Sequence, residues 1–356
     1  MNKIKVAVMG ATGAVGQRFI QLLANHPFFE LAALTASDRS EGKTYAEAAK
    51  WVLDSEMPAS IGGMKLLPTT AEAITKEDDK IQFVFSALPN ENAEAAEPEC
   101  ARAGLIVFSN ASKYRMAADV PLVITEINHE HLVMLKDQQR LRKWSGGIIC
   151  NTNCTVSGPA MSLKPLHEAF GVRRVFAVSL QAASGAGYPG VPSLDLIDNV
   201  IPFIKGEEDK LQAEARKLLG SYTFGAGKID DAVFDLSAHC NRVPVIDGHI
   251  VTMSVELATP ATPEECARVM NDWRVDAVAG LPTAPAQPVV VREEADRPQP
   301  RRDRMTGGGM SAIVGRVRPE PLFGNCGVKY VTLSHNTLRG AAGGSVLNAE
   351  ALVKLY

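Results

Sequence analysis

Ile4-Lys5-Val6-Ala7-Val8-Met9-Gly10-Ala11-Thr12-Gly13-Ala14-Val15-Gly16 is the stretch that decides the fold class. Its first six residues are a short, mostly apolar and β-branched run, Gly10 to Gly16 form a turn of small residues, and helical apolar spacing runs from Val15 to Asn25. Strand, glycine turn and helix in that order predict a phosphate-binding βα unit. The turn backbone can approach a pyrophosphate closely, and the helix N-terminus supplies N–H donors and positive potential. Gly10, Thr12, Gly13, Ala14, Val15 and Gly16 are therefore candidate dinucleotide contacts. The spacing is G-x-x-G-x-x-G rather than G-x-G-x-x-G, so a glycine-rich turn with no ligand is the competing reading.

Working outward, residues 29–35, 81–86 and 105–109 read as strands, with a helical stretch over 91–103. Strands alternating with helices predict an α/β, Rossmann-type doubly wound parallel sheet. The character changes near Ser145-Gly146-Gly147, after which 172–181, 232–236 and 249–257 read as strands with longer connections, predicting a second, α+β domain. A helix is expected over 345–355 and a surface loop over 293–304. The expected division is 1–150 with 336–356 for the nucleotide-binding domain, and 151–335 for a catalytic and oligomerisation domain.

Composition fits two domains: 356 residues at 46% hydrophobic content can bury a large core. With 37 basic and 40 acidic side chains and a net charge of −3, neither sign gathers into a block, which argues against nucleic-acid or membrane-surface binding. No apolar run reaches the roughly 18 residues of a membrane span, and a cytoplasmic location is expected. The six cysteines show no CxxC pair and no zinc-type spacing, so they read as reduced thiols with no metal site.

An acidic residue ending the second strand would favour NAD, but that strand ends in Leu34-Thr35-Ala36-Ser37 and Asp38 comes late. Ser37, Arg39, Ser40 and Lys43 instead offer the hydroxyls and cations that a 2′-phosphate needs, which predicts NADP; a solvated basic loop is the alternative.

Asn151-Thr152-Asn153-Cys154-Thr155-Val156-Ser157 places a cysteine in a polar turn leading into a helix, where its pKa is expected to fall and a thiolate nucleophile to become available. From spacing alone a buried structural cysteine is the commoner case. His239-Cys240-Asn241-Arg242-Val243-Pro244-Val245-Ile246-Asp247-Gly248-His249 adds an arginine suited to a carboxylate and two histidines, in a strand-turn-strand pattern around Asp247-Gly248. His249, at a strand start after the turn, suits a residue that points into a cleft.

The glycine turn, Asn153-Cys154-Thr155, Gln181-Ala182-Ala183-Ser184-Gly185 and Arg242 to His249 together resemble aspartate-β-semialdehyde dehydrogenase, nearly end to end. The archaeal and fungal branch is the most similar, through Ser109-Asn110-Ala111-Ser112-Lys113-Tyr114-Arg115, Ser184-Gly185-Ala186-Gly187-Tyr188-Pro189-Gly190 and the stretch from His335 to Gly344. The resemblance implies Cys154 as nucleophile, His249 as acid/base, Gln181 as an orienting residue and Arg242 as the clamp on a substrate carboxylate. It further implies Glu207 at a substrate ammonium, Lys210, Arg115 and Lys113 at phosphate, and Asn153 in the substrate pocket. Ser86, Asn90, Ser184, Gly185 and Asn336 would belong to the cofactor cleft. Periodicity alone would make Glu207 and Lys210 an exposed helix pair, and Ser86 and Asn90 a strand end and a helix start. Phe323-Gly324-Asn325-Cys326-Gly327 departs from the family pattern.

The implied reaction is NADP-dependent reductive dephosphorylation of L-4-aspartyl phosphate through a cysteine thioester, in lysine, threonine and methionine biosynthesis, by a homodimer or homotetramer. A malonyl-CoA reductase of the same chemistry is the alternative, and Glu207 argues against it, although Glu208 beside it blurs the point. A non-catalytic NADP-binding sensor is the reading from outside the enzyme class.

Overall fold

The computed structural model describes residues 3–356. Seven strands form a wholly parallel sheet: β1 (Ile4–Met9), β2 (Phe29–Thr35), β3 (Leu66–Leu67), β4 (Ile81–Ser86), β5 (Ile106–Ser109), β6 (Leu122–Val123) and β7 (Gly147–Asn151), in the order β3-β2-β1-β4-β5-β7-β6. The order reverses between β1 and β4, so a crevice opens at their carboxyl ends, the topological switch point where such sheets take ligands. Val6 to Met9 are fully buried because helices cover both faces.

Helix α1 (Ala14–Leu23) buries Gly16, Phe19, Ile20 and Leu23 against this sheet. Its crossing depends on Gly16, since a Cβ there would lie 2.3 Å from the Gly10 carbonyl oxygen. Gly10 itself turns at φ +72°, the left-handed region that favours glycine. Helix α2 (Asn90–Arg102) follows β4, as the sequence predicts.

After β7 the chain enters α3 (Ser157–Phe170) and a second, mixed sheet. Its strands are β8 (Val172–Gln181), β11 (Asp235–Arg242), β12 (His249–Leu257), β13 (Val289–Arg292), β14 (Ala312–Pro319) and β15 (Gly327–Ser334), in the order β11-β8-β12-β15-β14-β13; β9 (Ser221–Tyr222) and β10 (Ile229–Asp230) form a separate small pair. Helix α4 (Glu207–Leu219) packs near β11. The terminal helix α5 (Gly343–Leu355) returns to pack against α1, β5 and β7 of the first sheet.

Three expectations change. The strand read at 232–236 lies at Asp235–Arg242 instead, because the Ala232 N–H is taken by the Arg216 carbonyl and ladder pairing with β8 starts only at Asp235. The strands on either side of Asp247-Gly248 are not hairpin partners: β8 lies between them, and the connection crosses its end through Val243 N–H to Gln181 O (3.0 Å) and Ala183 N–H to Val245 O (2.7 Å). The 293–304 stretch is not wholly surface loop, since Asp303 is fully buried, pairs with Arg297 and accepts the Gln299 N–H at 2.6 Å.

Candidate active site

The crossing of β8 by the 243–248 connection brings Arg242 and His249 to either side of Gln181, all at one end of the second sheet. The turn from β7 into α3 faces them. There the Asn153 side chain accepts the Thr155 N–H (2.8 Å), the Ser157 hydroxyl donates to the Cys154 carbonyl (3.0 Å), and Cys154 Sγ lies 3.3 Å from His249 Nε2. The His249 Nδ1 accepts the Ala182 N–H at 3.0 Å. Two glycines make the fit possible. A Cβ on Gly340 would sit 2.7 Å from Cys154 Cα, and one on Gly185 would sit 2.6 Å from Arg242 Nη1.

Around the thiol the charges alternate. Glu207 is buried and accepts from Asn153 Nδ2 (3.0 and 3.1 Å), Lys210 Nζ (2.9 Å) and Gln181 Nε2 (3.4 Å). Burial works against its carboxylate, yet Lys210 and these amides hold its pKa below the ordinary value. Arg242, 5% exposed, donates Nη1 to the Ala182 carbonyl (2.7 Å). Burial, Arg242 and His335 push His249 down to about 3. The expected lowering of the Cys154 pKa does not occur: burial, reinforced by Glu207, pushes the thiol up to about 11 against the pull of Arg115 and Arg242. In this closed pocket desolvation outweighs the pull of the helix start.

Arg115 is buried and bonded through Nη1 to Glu214 (3.0 Å) and through Nη2 to the Asn110 carbonyl (2.6 Å), with Nε left unpartnered. Glu214 also accepts the Asn153 N–H (2.6 Å) and the Thr152 hydroxyl (3.1 Å), so one carboxylate holds both the guanidinium and the nucleophile turn. Glu214 was not among the expected site residues. Its signal was the spacing Glu207, Lys210, Glu214, Lys217, which lays a charged stripe along one face of α4. Lys217, at the far end of that stripe, donates to the carbonyls of Arg115, Ala117 and Val120.

Lys113 is not brought into this pocket: its ammonium pairs with Glu94 at 2.6 Å on the surface. An ammonium beside a surface carboxylate gains solvent as well as a partner, whereas the pocket already holds Arg115 and Lys210.

The glycine turn opens on a groove of about 710 Å³ lined by Gly10, Thr12, Gly13, Ser37 and Arg39, with Thr69 and Leu88 across from them. A second cavity of about 300 Å³ is lined by Ala14, Arg18, Ser184, Tyr188, Asp247 and Thr337. Both border the N-terminus of α1, one at Gly13 and the other at Ala14. A Cβ on Gly13 would meet only the Gly10 carbonyl, at 3.5 Å, so the groove side of the turn is open. These residues fit a dinucleotide laid across the helix start, with Ser37 and Arg39 at its far end.

Other expected cofactor contacts fall elsewhere. Ser40 and Lys43 lie off the groove wall, because the chain turns at Ser37 to Ser40 and Lys43 then bridges to Leu66 through its backbone. Ser86 is completely buried under the sheet end, and the Asn90 side chain is taken up by Ser112. Asn336 uses both ends of its amide on protein, donating to the Ser184 hydroxyl and accepting the Gly248 N–H, each at 2.8 Å; it positions Ser184 and the approach to His249. Val15 is half-buried against the core and Gly16 packs on the backbone of Gly10 and Ala11, so both shape the turn from behind. Cys326 ends a short 3-10 turn before β15 and donates to the neighbouring Asn325.

Comparison with known proteins agrees with this geometry. Residues 5–135 match the family model described as semialdehyde dehydrogenase, NAD binding domain, and residues 163–339 match semialdehyde dehydrogenase, dimerisation domain. Aspartate-semialdehyde dehydrogenase of Archaeoglobus fulgidus is 49% identical over 99% of this chain and 98% of its own length; that of Schizosaccharomyces pombe is 44% identical over 98% of each. The crystal structure of aspartate-semialdehyde dehydrogenase with NADP from Candida albicans superposes with a TM-score of 0.89 at 40% identity, covering 99% of both chains. Aspartate-semialdehyde dehydrogenase II of Vibrio cholerae, complexed with ASA, gives 0.78 at 26% identity over the whole of both. With a parallel nucleotide-type sheet, a cysteine–histidine pair at the junction with a mixed sheet, and relatives matching along their full length, the chain belongs to the aspartate-semialdehyde dehydrogenase family.

Proposed function

We propose that this protein reduces L-4-aspartyl phosphate to L-aspartate-4-semialdehyde with NADPH, releasing phosphate through a thioester on Cys154. The observation that carries the reading is the Cys154–His249 contact at 3.3 Å, in a pocket with a guanidinium at one end and a buried carboxylate at the other. Arg242 keeps one edge of its guanidinium on the Ala182 carbonyl and offers the other to the substrate carboxylate. Glu207 takes the substrate ammonium. Glu208 does not compete, since its carboxylate accepts the Cys240 N–H at 3.1 Å on the edge of β11. This supports an amino-bearing substrate over malonyl-CoA, for which Glu207 would have no partner. Arg115, through its unpartnered Nε, and Lys210 receive the phosphate. Gln181 and Asn153 hold Glu207 and the nucleophile turn in register.

When bound, NADPH supplies the hydride; Ser37 and Arg39 would take its 2′-phosphate, and the α1 N-terminus its pyrophosphate. The relative from Candida albicans, described with NADP, supports this choice. The division into 1–150 with 336–356 and 151–335 is supported by the return of α5 to the first sheet.

The assay is semialdehyde oxidation by purified protein with and without phosphate, beside NADPH consumption with malonyl-CoA. Phosphate-dependent turnover of the semialdehyde is expected; turnover with the CoA ester alone overturns the roles of Glu207 and Lys210. Arg242→Lys, which cannot replace a two-pronged contact, should raise KM for the semialdehyde on the order of 10–100-fold, the cost of a charged hydrogen bond. An unchanged KM removes Arg242 from the carboxylate site.

The dimerisation-domain match supports self-association, and the finer reading is a homodimer through the open face of the second sheet. Phe176 is 42% exposed on that face, and the neighbouring 194–203 segment exposes Leu194 (89%) and Phe203 (68%), more apolar surface than a monomer usually leaves to water. Sedimentation should give twice the 38.2 kDa chain mass, with Phe203→Asp shifting the protein toward monomer. Among the described residues no helix is long and apolar enough to cross a membrane.

A further inference from the structure

Glu214 lies on α4 in line with Glu207 and Lys210, and it is buried. Its two carboxylate oxygens serve two different connections of the chain. Oε1 accepts Nη1 of Arg115 (3.0 Å), which stands in the loop after β5, while Oε2 accepts the Asn153 N–H (2.6 Å) and the Thr152 hydroxyl (3.1 Å) in the turn after β7. Asn153 directly precedes Cys154, so one planar group sets the guanidinium and the sulfur-bearing turn relative to each other.

The rest of Arg115 is held independently of Glu214. Lys217, three residues further along α4, grips its loop by donating to the carbonyls of Arg115 (2.6 Å), Ala117 (2.8 Å) and Val120 (2.9 Å). Nη2 donates to the Asn110 carbonyl (2.6 Å), and Nε has no partner. What Glu214 alone supplies is opposite charge, since it is the one carboxylate in ion-pair contact with Arg115 among the described residues. Arg115 and Arg242 pull the Cys154 thiol down against burial and Glu207. A guanidinium without its carboxylate would pull harder, because charges in a buried pocket are weakly screened.

We infer that Glu214 is a positioning residue with two tasks: it holds the open edge of Arg115 in register with Cys154 for an anionic leaving group, and it offsets the guanidinium's charge beside the nucleophile. No bond is made or broken at Glu214, which acts through Arg115 and the turn. The phosphate role of Arg115 rests on the function proposed above; the tie to the turn and the offset of charge do not.

The test compares Glu214→Gln, Arg115→Met and the two combined. Glutamine nearly keeps the shape of glutamate, but one end of its amide donates, and in the single variant that end must face a donor, either Arg115 Nη1 or the Asn153 N–H. Combined with Arg115→Met the conflict disappears. The amide oxygen can then keep Asn153 and Thr152, and no unpaired charge is left buried.

The first readout needs no substrate: formation of the iodoacetamide adduct at Cys154 at pH 8, followed by mass spectrometry of its own peptide so that Cys326 is scored apart. Glu214→Gln should react about tenfold faster than the parent, the effect of making the thiol more acidic by roughly one pH unit, and the combined variant no faster than the parent. An unchanged rate in Glu214→Gln overturns the charge offset, and so does an equal rise in both variants, which would report a loosened turn. The second readout is steady-state oxidation of the semialdehyde. In Glu214→Gln the KM for phosphate should rise on the order of 10–100-fold, the cost of a charged hydrogen bond, while the KM for the semialdehyde stays within about twofold because Arg242 and Glu207 keep their places. Added to Arg115→Met, Glu214→Gln should raise the phosphate KM no further, as expected of groups that act as one unit. Effects that multiply, or a rise of both KM values alike, overturn the positioning role. A parent protein that does not turn over the semialdehyde would overturn the proposed function, and the alkylation rates would still decide the role of Glu214.

Discussion

Cys154→Ala lowers kcat by at least about 10⁴-fold, the scale on which removal of a nucleophile stops covalent catalysis, while NADPH binds as before. The substitution deletes one sulfur atom and its contact with His249. It leaves the backbone of the turn unchanged, because that turn is held by Asn153, Ser157 and Glu214 rather than by the thiol. The dinucleotide groove lies on other elements, from Gly10 to Gly13, Ser37 to Arg39 and the start of α2. Single-turnover kinetics and fluorescence titration with NADPH check the two halves separately. Residual activity within about a hundredfold of the parent would mean that another group carries the acyl chain, and weakened NADPH binding would mean that the thiol shapes the cleft.

Glu126→Ala produces the largest expected loss of stability. Glu126 and Arg339 form a fully buried ion pair, with Nη1 of the arginine 2.7 Å from Oε1 and a second bond beside it. Removing the acid leaves a guanidinium in the interior with one remaining acceptor, the Met310 carbonyl at 3.4 Å. Such an uncompensated charge costs about 3–5 kcal/mol, a fall in Tm of roughly 4–7 °C for a chain of this size. Arg339 immediately precedes Gly340, whose close approach backs Cys154. Activity should therefore fall more steeply than the folded fraction, as measured by kcat beside circular dichroism at 25 °C. A Tm within a degree of the parent would show that the cavity rehydrates Arg339.

The local elements were legible because each reads from its own residues. The βα unit, the strands over 29–35, 81–86, 172–181 and 249–257 and the helices over 91–103 and 345–355 depend on apolar period and turn chemistry, and they appear where the sequence places them. The strand at Asp235–Arg242 was displaced because its limits are set by pairing to β8, a partner more than fifty residues away. Lys113 illustrates the same limit. Its place in a motif is sequence information, but its pairing with Glu94 depends on how α2 is docked.

By itself the sequence determined the nucleotide-type turn, the nucleophile turn at Asn153-Cys154-Thr155 and the guanidinium and imidazole of the 239–249 stretch, since these are set by residue identity and short spacing. Only the tertiary structure decided the state of those groups. Burial raised the Cys154 thiol, the Ala182 N–H just past the end of β8 engaged His249 Nδ1, and Glu214 tied Arg115 to the nucleophile turn. Desolvation and hydrogen-bond partnering come from segments distant in sequence, and no local pattern records which of them will meet.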